Sequence, residues 1–318
     1  MAFRLDDNQS AAEGLRRIVR EQLDEAIEQL GRDDEYWNEV VHEVRKSFKR
    51  VRAILRLMRD ELGEVYLREN ACLRDAGRSL SGARDAQVLI ETFDTLSDGP
   101  SEPLSSGIAT GIRETLIKGQ NVTGMSRPAQ EQVATLITTL KRMQRRVRKW
   151  PITRSGWSAL ADGLKRIYRH GRVSLTTAYK EPTAENFHEW RKRVKDLWHH
   201  YQILEPIWSE VVSVQAEQAH ALADLLGDDH DLSVLRERLV AASEEFGGHS
   251  NVAMAIELID RRCAHLRWSA QLLGQRLYAD RPGAFLRRNR TYWQAWKRQT
   301  GYCSGVADGV QLRIAGHA

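Results

Sequence analysis

One cationic segment occurs twice in this chain, and the duplication limits what the chain can fold into. Residues 41–49 read VHEVRKSFK and residues 187–195 read FHEWRKRVK, so His42, Glu43, Arg45, Lys46 and Lys49 recur as His188, Glu189, Arg191, Lys192 and Lys195. Apolar residues follow each copy at alternating spacings of three and four. The first copy runs Val41, Val44, Phe48, Val51, Leu55, Met58 and Leu62; the second runs Phe187, Trp190, Val194, Leu197, Tyr201, Leu204 and Trp208. That is the period of a helix with one face in a core. At a turn of about 100° per residue, Arg45, Lys46, Lys49, Arg52 and Arg56 gather around His42 beside the apolar seam, and Glu43 lies off to the side.

A run of charge on an amphipathic helix is commonly a solvated outer face, but such faces interleave both signs in i,i+4 pairs. From His42 to Arg59 there are seven Lys and Arg residues and one acid. Like charges at helical neighbour spacing cost a few tenths of a kcal/mol per pair. An arrangement that is locally unfavourable and appears twice points to an anionic partner.

The repeat reaches beyond these helices. Gly14-Leu15-Arg16-Arg17-Ile18-Val19-Arg20 precedes the first copy, and Gly163-Leu164-Lys165-Arg166-Ile167-Tyr168-Arg169 precedes the second. Downstream, Leu80-Ser81-Gly82-Ala83-Arg84-Asp85 matches Leu225-Leu226-Gly227-Asp228-Asp229-His230-Asp231 with one residue inserted. No alternating run suggests a hairpin. The spacing predicts an all-α protein with helices over 10–30, 35–62, 65–81, 84–96, 103–118, 127–149, 156–180, 183–205, 208–226, 231–244, 250–278 and 283–298, packed as two bundles. Breaks are expected at Ser97-Asp98-Gly99-Pro100, Asn121-Val122-Thr123-Gly124, Glu181-Pro182-Thr183 and Gly247-Gly248-His249-Ser250. The Gly227–Asp231 stretch reads as a helix junction with Asp231 as N-cap. The expected organisation is a tail over 1–9, a first repeat over 10–150, a second over 151–298 divided from it near Trp150-Pro151, and a loose tail over 299–318.

A chain of 318 residues with nine Trp has material for a large core or two smaller ones. No run approaches the roughly 18 apolar residues of a membrane span, and the start MAFRLDDNQS lacks the apolar segment of a leader. A cytoplasmic protein without a membrane partner is the expectation. The net charge of +5 understates the local basicity, because the acids cluster away from the stripes. Cys72, Cys263 and Cys303 have neither metal nor redox spacing and read as incidental thiols.

The paired His-x-x-Arg-Lys helices, the connections at Gly82 and at Gly227 to Asp231, and the RLYADRPGAF segment from Arg276 to Phe285 resemble the CHAD domain, the conserved histidine α-helical domain, over about residues 10–298. The resemblance implies two helical bundles related by pseudo-two-fold symmetry around a basic central channel that binds inorganic polyphosphate, with polyphosphate granules as one place to find the protein. The Glu-x-Glu-x-Lys signature of the triphosphate tunnel domain that accompanies many relatives is absent, so a stand-alone CHAD protein is expected. Carried over residue by residue, the binding set is His42, Arg45, Lys46, Lys49, Arg52 and Arg56 in the first helix and His188, Arg191, Lys192 and Lys195 in the second. Arg17, Arg20, Arg166, Arg169 and Arg172 on the partner helices resemble further channel-lining positions. The second copy is less charged at its far end, where Trp198, His199 and Gln202 stand in place of Arg52, Ala53 and Arg56.

Three other readings compete. Metal binding by His42 and His188 is disfavoured, because the surrounding cations repel a metal ion. Nucleic-acid binding shares the electrostatics, and Trp190, Trp198 and Tyr201 offer rings for bases, but the aromatics fall mostly on the core seam, where packing is their first use. An enzyme acting on phosphate chains would need a Walker motif, an acidic metal cluster or a nucleophile with its base, and none is evident. Binding without catalysis, cofactor or metal is the expectation.

Overall fold

The computed structural model describes residues 3–32, 37–80, 82–98, 104–123 and 129–314. Among them are twelve α-helices and no strand: α1 (Ala11–Gly31), α2 (Trp37–Leu57), α3 (Arg59–Leu62), α4 (Glu64–Ser79), α5 (Gly82–Ser97), α6 (Ser106–Thr123), α7 (Gln130–Val147), α8 (Ser158–Lys180), α9 (Ala184–Leu204), α10 (Ser209–Ala241), α11 (His249–Leu277) and α12 (Pro282–Ile314). None of the described helices is long and apolar enough to cross a membrane.

Local chemistry sets the ends of the helices that matter most. Ser10 and Glu13 form a reciprocal cap on α1, with Glu13 N–H donating to Ser10 Oγ at 3.2 Å and Ser10 N–H donating to Glu13 Oε2 at 3.0 Å. Thr183 caps α9 by accepting from Asn186 N–H at 3.2 Å, which fixes where the second cationic stripe begins. Gly63, at φ 52°, ends α3 in a conformation that favours glycine and turns the chain into α4.

Helix pairing repeats along the chain. α1 packs on α2 and on α7, as α8 packs on α9 and on α12, and α5–α6 pair as α10–α11 do. The hydrophobic cores do not follow the boundary near Pro151. The larger core joins α1, α2, α4, α7, α8, α9, α12 and the first half of α10. The smaller one joins α5, α6, α11 and the second half of α10. Each therefore draws on both halves of the sequence, and α10 passes from one core into the other through Gly227–Asp231.

The expected junction at Gly227–Asp231 is absent. α10 runs unbroken from Ser209 to Ala241, so Asp231 is no N-cap. A glycine inside a helix costs only about 1 kcal/mol against alanine, and burial of Leu222, Leu226, Leu232 and Leu235 on either side outweighs it. Asn121–Thr123, read as a loop, close α6, and α12 continues past residue 298 to Ile314. The single helix expected over 35–62 is interrupted at Met58. Gly99, Pro100 and Gly124 lie outside the described residues, as do Ser81 and the side chains of the first α5 turn. The N-terminal segment is docked: Leu5 is buried, and its N–H donates to the Ile203 carbonyl at 3.0 Å.

α8 approaches α2 closely at Gly163, where a Cβ would overlap the Leu57 carbonyl oxygen. Gly163→Ala must push the helices apart and should lower stability by about 2 kcal/mol or more. Gly111→Ala, on α6 with nothing within 4 Å of the new methyl, should be neutral or stabilising by up to about 1 kcal/mol. Thermal melts of the two variants check the contact, and equal melting temperatures would show that it does not exist.

Candidate anion-binding site

The two cationic helices meet through a buried polar contact. The Arg56 guanidinium on α2 donates to Asp196 on α9, with Nη2 2.6 Å from Oδ1 and the carboxylate 2% exposed. One turn along, the buried His200 ring hydrogen-bonds through Nε2 to the Ala53 carbonyl at 2.9 Å. These contacts place Lys49 of α2 and Arg191 and Lys195 of α9 close to one another. Burial, then Arg191 and Lys49, push the Lys195 ammonium down to about 8. Arg191 is likewise shifted down by burial, opposed by Asp231, Asp228 and Asp224 of α10. Its Nε is buried with no acceptor among the described residues.

The rest of the first stripe lies along α4. Arg45 Nη1 donates to the Gly77 carbonyl at 3.2 Å and Arg52 Nε to Asn70 Oδ1 at 3.0 Å, which holds both stems while leaving further N–H donors on each guanidinium. Arg52 is shifted down by burial and by Arg56 beside it. Lys46 pairs with Glu43 at 3.2 Å, and Lys192 pairs with Glu189 in the same i,i+3 relation. His42 stays outward, 46% exposed, with Nε2 3.9 Å from Glu43 Oε1. His188 turns inward instead, its ring 4.3 Å from that of His230. Burial and the nearby His188, Arg191 and Lys195 hold His230 down to about 4.

Four of the arginines predicted to bind are committed to the scaffold. Arg56 is tied to Asp196 through Nε and Nη2. Arg17 donates to Gln9 at 2.9 Å, the Arg4 carbonyl at 2.8 Å and Glu21, and so clasps the N-terminal segment. Arg166 joins Asp60 to the Arg56 carbonyl, the latter at 2.6 Å. Arg172 gathers the carbonyls of Tyr278, Ala279 and Asp280 after α11. A helical wheel could not show this, since every acceptor except Glu21 comes from another segment. Arg20 is half-buried with an unpartnered Nε, and Arg169 is exposed. The structure adds His230 and the acid row Asp224, Asp228 and Asp231, which repeat on one face of α10. Their spacing of four and three is visible in the sequence once that helix is known to be continuous.

Trp190 and Tyr201 are fully buried, and Trp198 stacks on His199 with ring centroids 4.6 Å apart. Trp190 and Tyr201 therefore offer no free face for a base. Among the described residues no three His, Cys, Asp or Glu side chains come together in a way that could hold a metal ion.

A duplicated cationic helix inside an all-helical chain is now matched by a direct comparison, in which the CHAD domain profile aligns with residues 17–240. The chain belongs to the CHAD domain family. The match begins within α1 and ends within α10, so it takes in both stripes of this CHAD domain and the crossing between them. No curated protein matches the chain.

The Lys195 shift has a sign that can be checked. Its folded-state pKa lies below the ordinary lysine value of 10.5, so the charged form is the costly one in the fold. Between about pH 8 and 10 the unfolded chain binds more protons, and this residue's contribution to stability should rise with pH. Lys195→Gln should melt higher than wild type at pH 7, and the difference should shrink toward pH 10. Melting curves at four or five pH values decide it; a variant that melts lower at pH 7 would mean that the ammonium is structurally paired.

Proposed function

We propose that this CHAD protein binds inorganic polyphosphate along the two cationic helices, with Lys49, Arg191 and Lys195 at the centre and Arg45, Arg52, Lys46, Lys192, His42 and His188 along the approach. The observation that carries the reading is the convergence of Lys49, Arg191 and Lys195 from both copies of the motif, at a cost visible in the lowered Lys195 pKa. A polyphosphate chain carries charge along its length and offers no base to stack or read. A binder therefore needs guanidinium forks and ammonium groups spaced along a groove. From His42 to Arg56 a helix extends about 21 Å at 1.5 Å per residue, room for several consecutive phosphates. The family membership adds its own weight, since polyphosphate-type ligands suit this domain.

Binding is proposed here without turnover: the site gathers cations, imidazoles and the acid row of α10, and among the described residues we find no nucleophile paired with a base. In a cell, such a chain would associate with polyphosphate granules in the cytoplasm.

Long-chain polyphosphate should bind far more tightly than orthophosphate, with an affinity that falls steeply as salt rises, because displaced counterions drive part of the association. Arg45→Ala, Lys49→Ala, Arg191→Ala and Lys195→Ala should each weaken binding by roughly 1 to 3 kcal/mol with helix content unchanged. Lys118→Ala, on the outer face of α6, should do little. Calorimetric titrations with polyphosphate and with nucleic acid of matched charge check the reading. Nucleic acid binding as tightly at physiological salt would reduce the groove to a generic basic patch.

A further inference from the structure

A cavity of about 370 Å³ opens where α2 and α3 meet α4, α8 and α9, lined by Arg56, Arg59, Tyr66, Arg166, His170 and Arg193, with Ser174 at its wall. Its size falls at the lower end of small-ligand sites. Three of the four guanidinium groups are held in place by the protein. Arg56 is fixed by Asp196 at 2.6 Å, Arg166 by Asp60 and the Arg56 carbonyl, and Arg193 by Glu189 at 3.6 Å and Asp196 at 3.7 Å. Arg59 has no carboxylate partner among the described residues and lies over the Tyr66 ring, 5.4 Å from its centroid. Each guanidinium carries five N–H donors in a rigid fork, so those already fixed still present unused N–H groups. His170 faces Arg193, Arg169, Arg166 and Arg59, and the field of all four disfavours its protonation along with burial.

The duplication shows that the fold does not require this charge. Aligned by the repeat, Arg59 corresponds to Glu205, His170 to Glu21, Val173 to Asp24, Ser174 to Glu25 and Arg193 to Ser47. The equivalent place in the other copy is acidic and supports the same helix pairing. Lys49 and Lys195, by contrast, are kept in both copies. Arg166 corresponds to Arg17 and is cationic in both copies, so what belongs to one copy alone is the replacement of acidic or neutral residues by Arg59, His170 and Arg193, although Arg56 stands where the first stripe ends.

We infer that this pocket is a second anion site, built for a compact diphosphate group, independent of the polyphosphate groove. Pre-positioned forks on three sides match an oxyanion with several oxygens better than a single carboxylate. The excess of arginines over acids leaves the pocket positive until it is filled.

Titration calorimetry on the full chain with inorganic pyrophosphate tests this. The double variant Arg59→Glu, His170→Glu, which installs the acids of the other copy, should weaken pyrophosphate binding at least tenfold. Lys49→Gln combined with Lys195→Gln should change it less than twofold. Should the first variant lose helix content, Ser174→Glu, also taken from the other copy, reads the same loss. A nucleoside diphosphate run in parallel separates the free ion from a phosphate ester as the source, and binding of either supports the pocket. Absence of binding by both, or loss of binding in the lysine variant and retention in the pocket variant, overturns the inference while leaving the polyphosphate groove standing. Failure of long polyphosphate to bind, with pyrophosphate still bound, overturns the groove alone.

Discussion

Asp196 fixes where the two copies of the cationic helix cross. It is a buried carboxylate that accepts from Arg56 at 2.6 Å and neighbours Arg193 at 3.7 Å. A buried ion pair adds little net stability over an apolar pair of the same shape, yet removing one partner strands the other and costs several kcal/mol. Its contribution is register. With Arg56 held to Asp196 and His200 to the Ala53 carbonyl, α2 and α9 cannot slide along each other. The Lys49 and Lys195 side chains, one turn or more from this tie, are then forced into proximity. The convergence of like charge is a consequence of that register, and the energy that sustains it comes from the shared apolar core beneath.

The α10 helix moderates the crowding. Asp224, Asp228 and Asp231 share the face turned to Arg191, and Asp228 is itself shifted up by burial and by its two acidic neighbours. The three carboxylates favour the charged form of Arg191 against the cost of its burial. The tilted His188–His230 ring pair adds two imidazoles, both shifted toward the neutral form by burial and by neighbouring cations.

How much of this the sequence made legible depends on where the partner of each residue lies. Helix identity and most boundaries follow from period and punctuation, and the Thr183 cap and the Gly63 turn fall where such residues predict. Lys49, Arg191 and Lys195 were readable because duplication marks them. Arg17, Arg166 and Arg172 were not, since their acceptors sit far away in sequence or are main-chain carbonyls that no motif announces. The continuity of α10 was hidden for a related reason. Gly82 follows the end of α4, and its counterpart Gly227 lies within a helix whose two halves are buried in two different cores. Tertiary packing overrides a weak local breaker there.

The same comparison explains why a duplicated chain need not be a symmetric machine. Residues that hold α1 to α2 and α8 to α9 are apolar in both copies, and substitution among them is limited by packing density. Charged positions at the rim are under no such limit, because either sign can be solvated or paired. Glu205 pairs with Arg4 of the docked N-terminal segment at 3.4 Å, whereas its counterpart Arg59 lies over an aromatic ring beside an open cavity. Docking of the N-terminal segment against α9 and α1 thus fills one copy with protein acceptors for Arg17. Among the described residues no such segment enters the cavity lined by Arg166 and Arg193 in the other. The chain keeps its paired lysines where both copies meet, and it diverges where each copy faces its own surroundings.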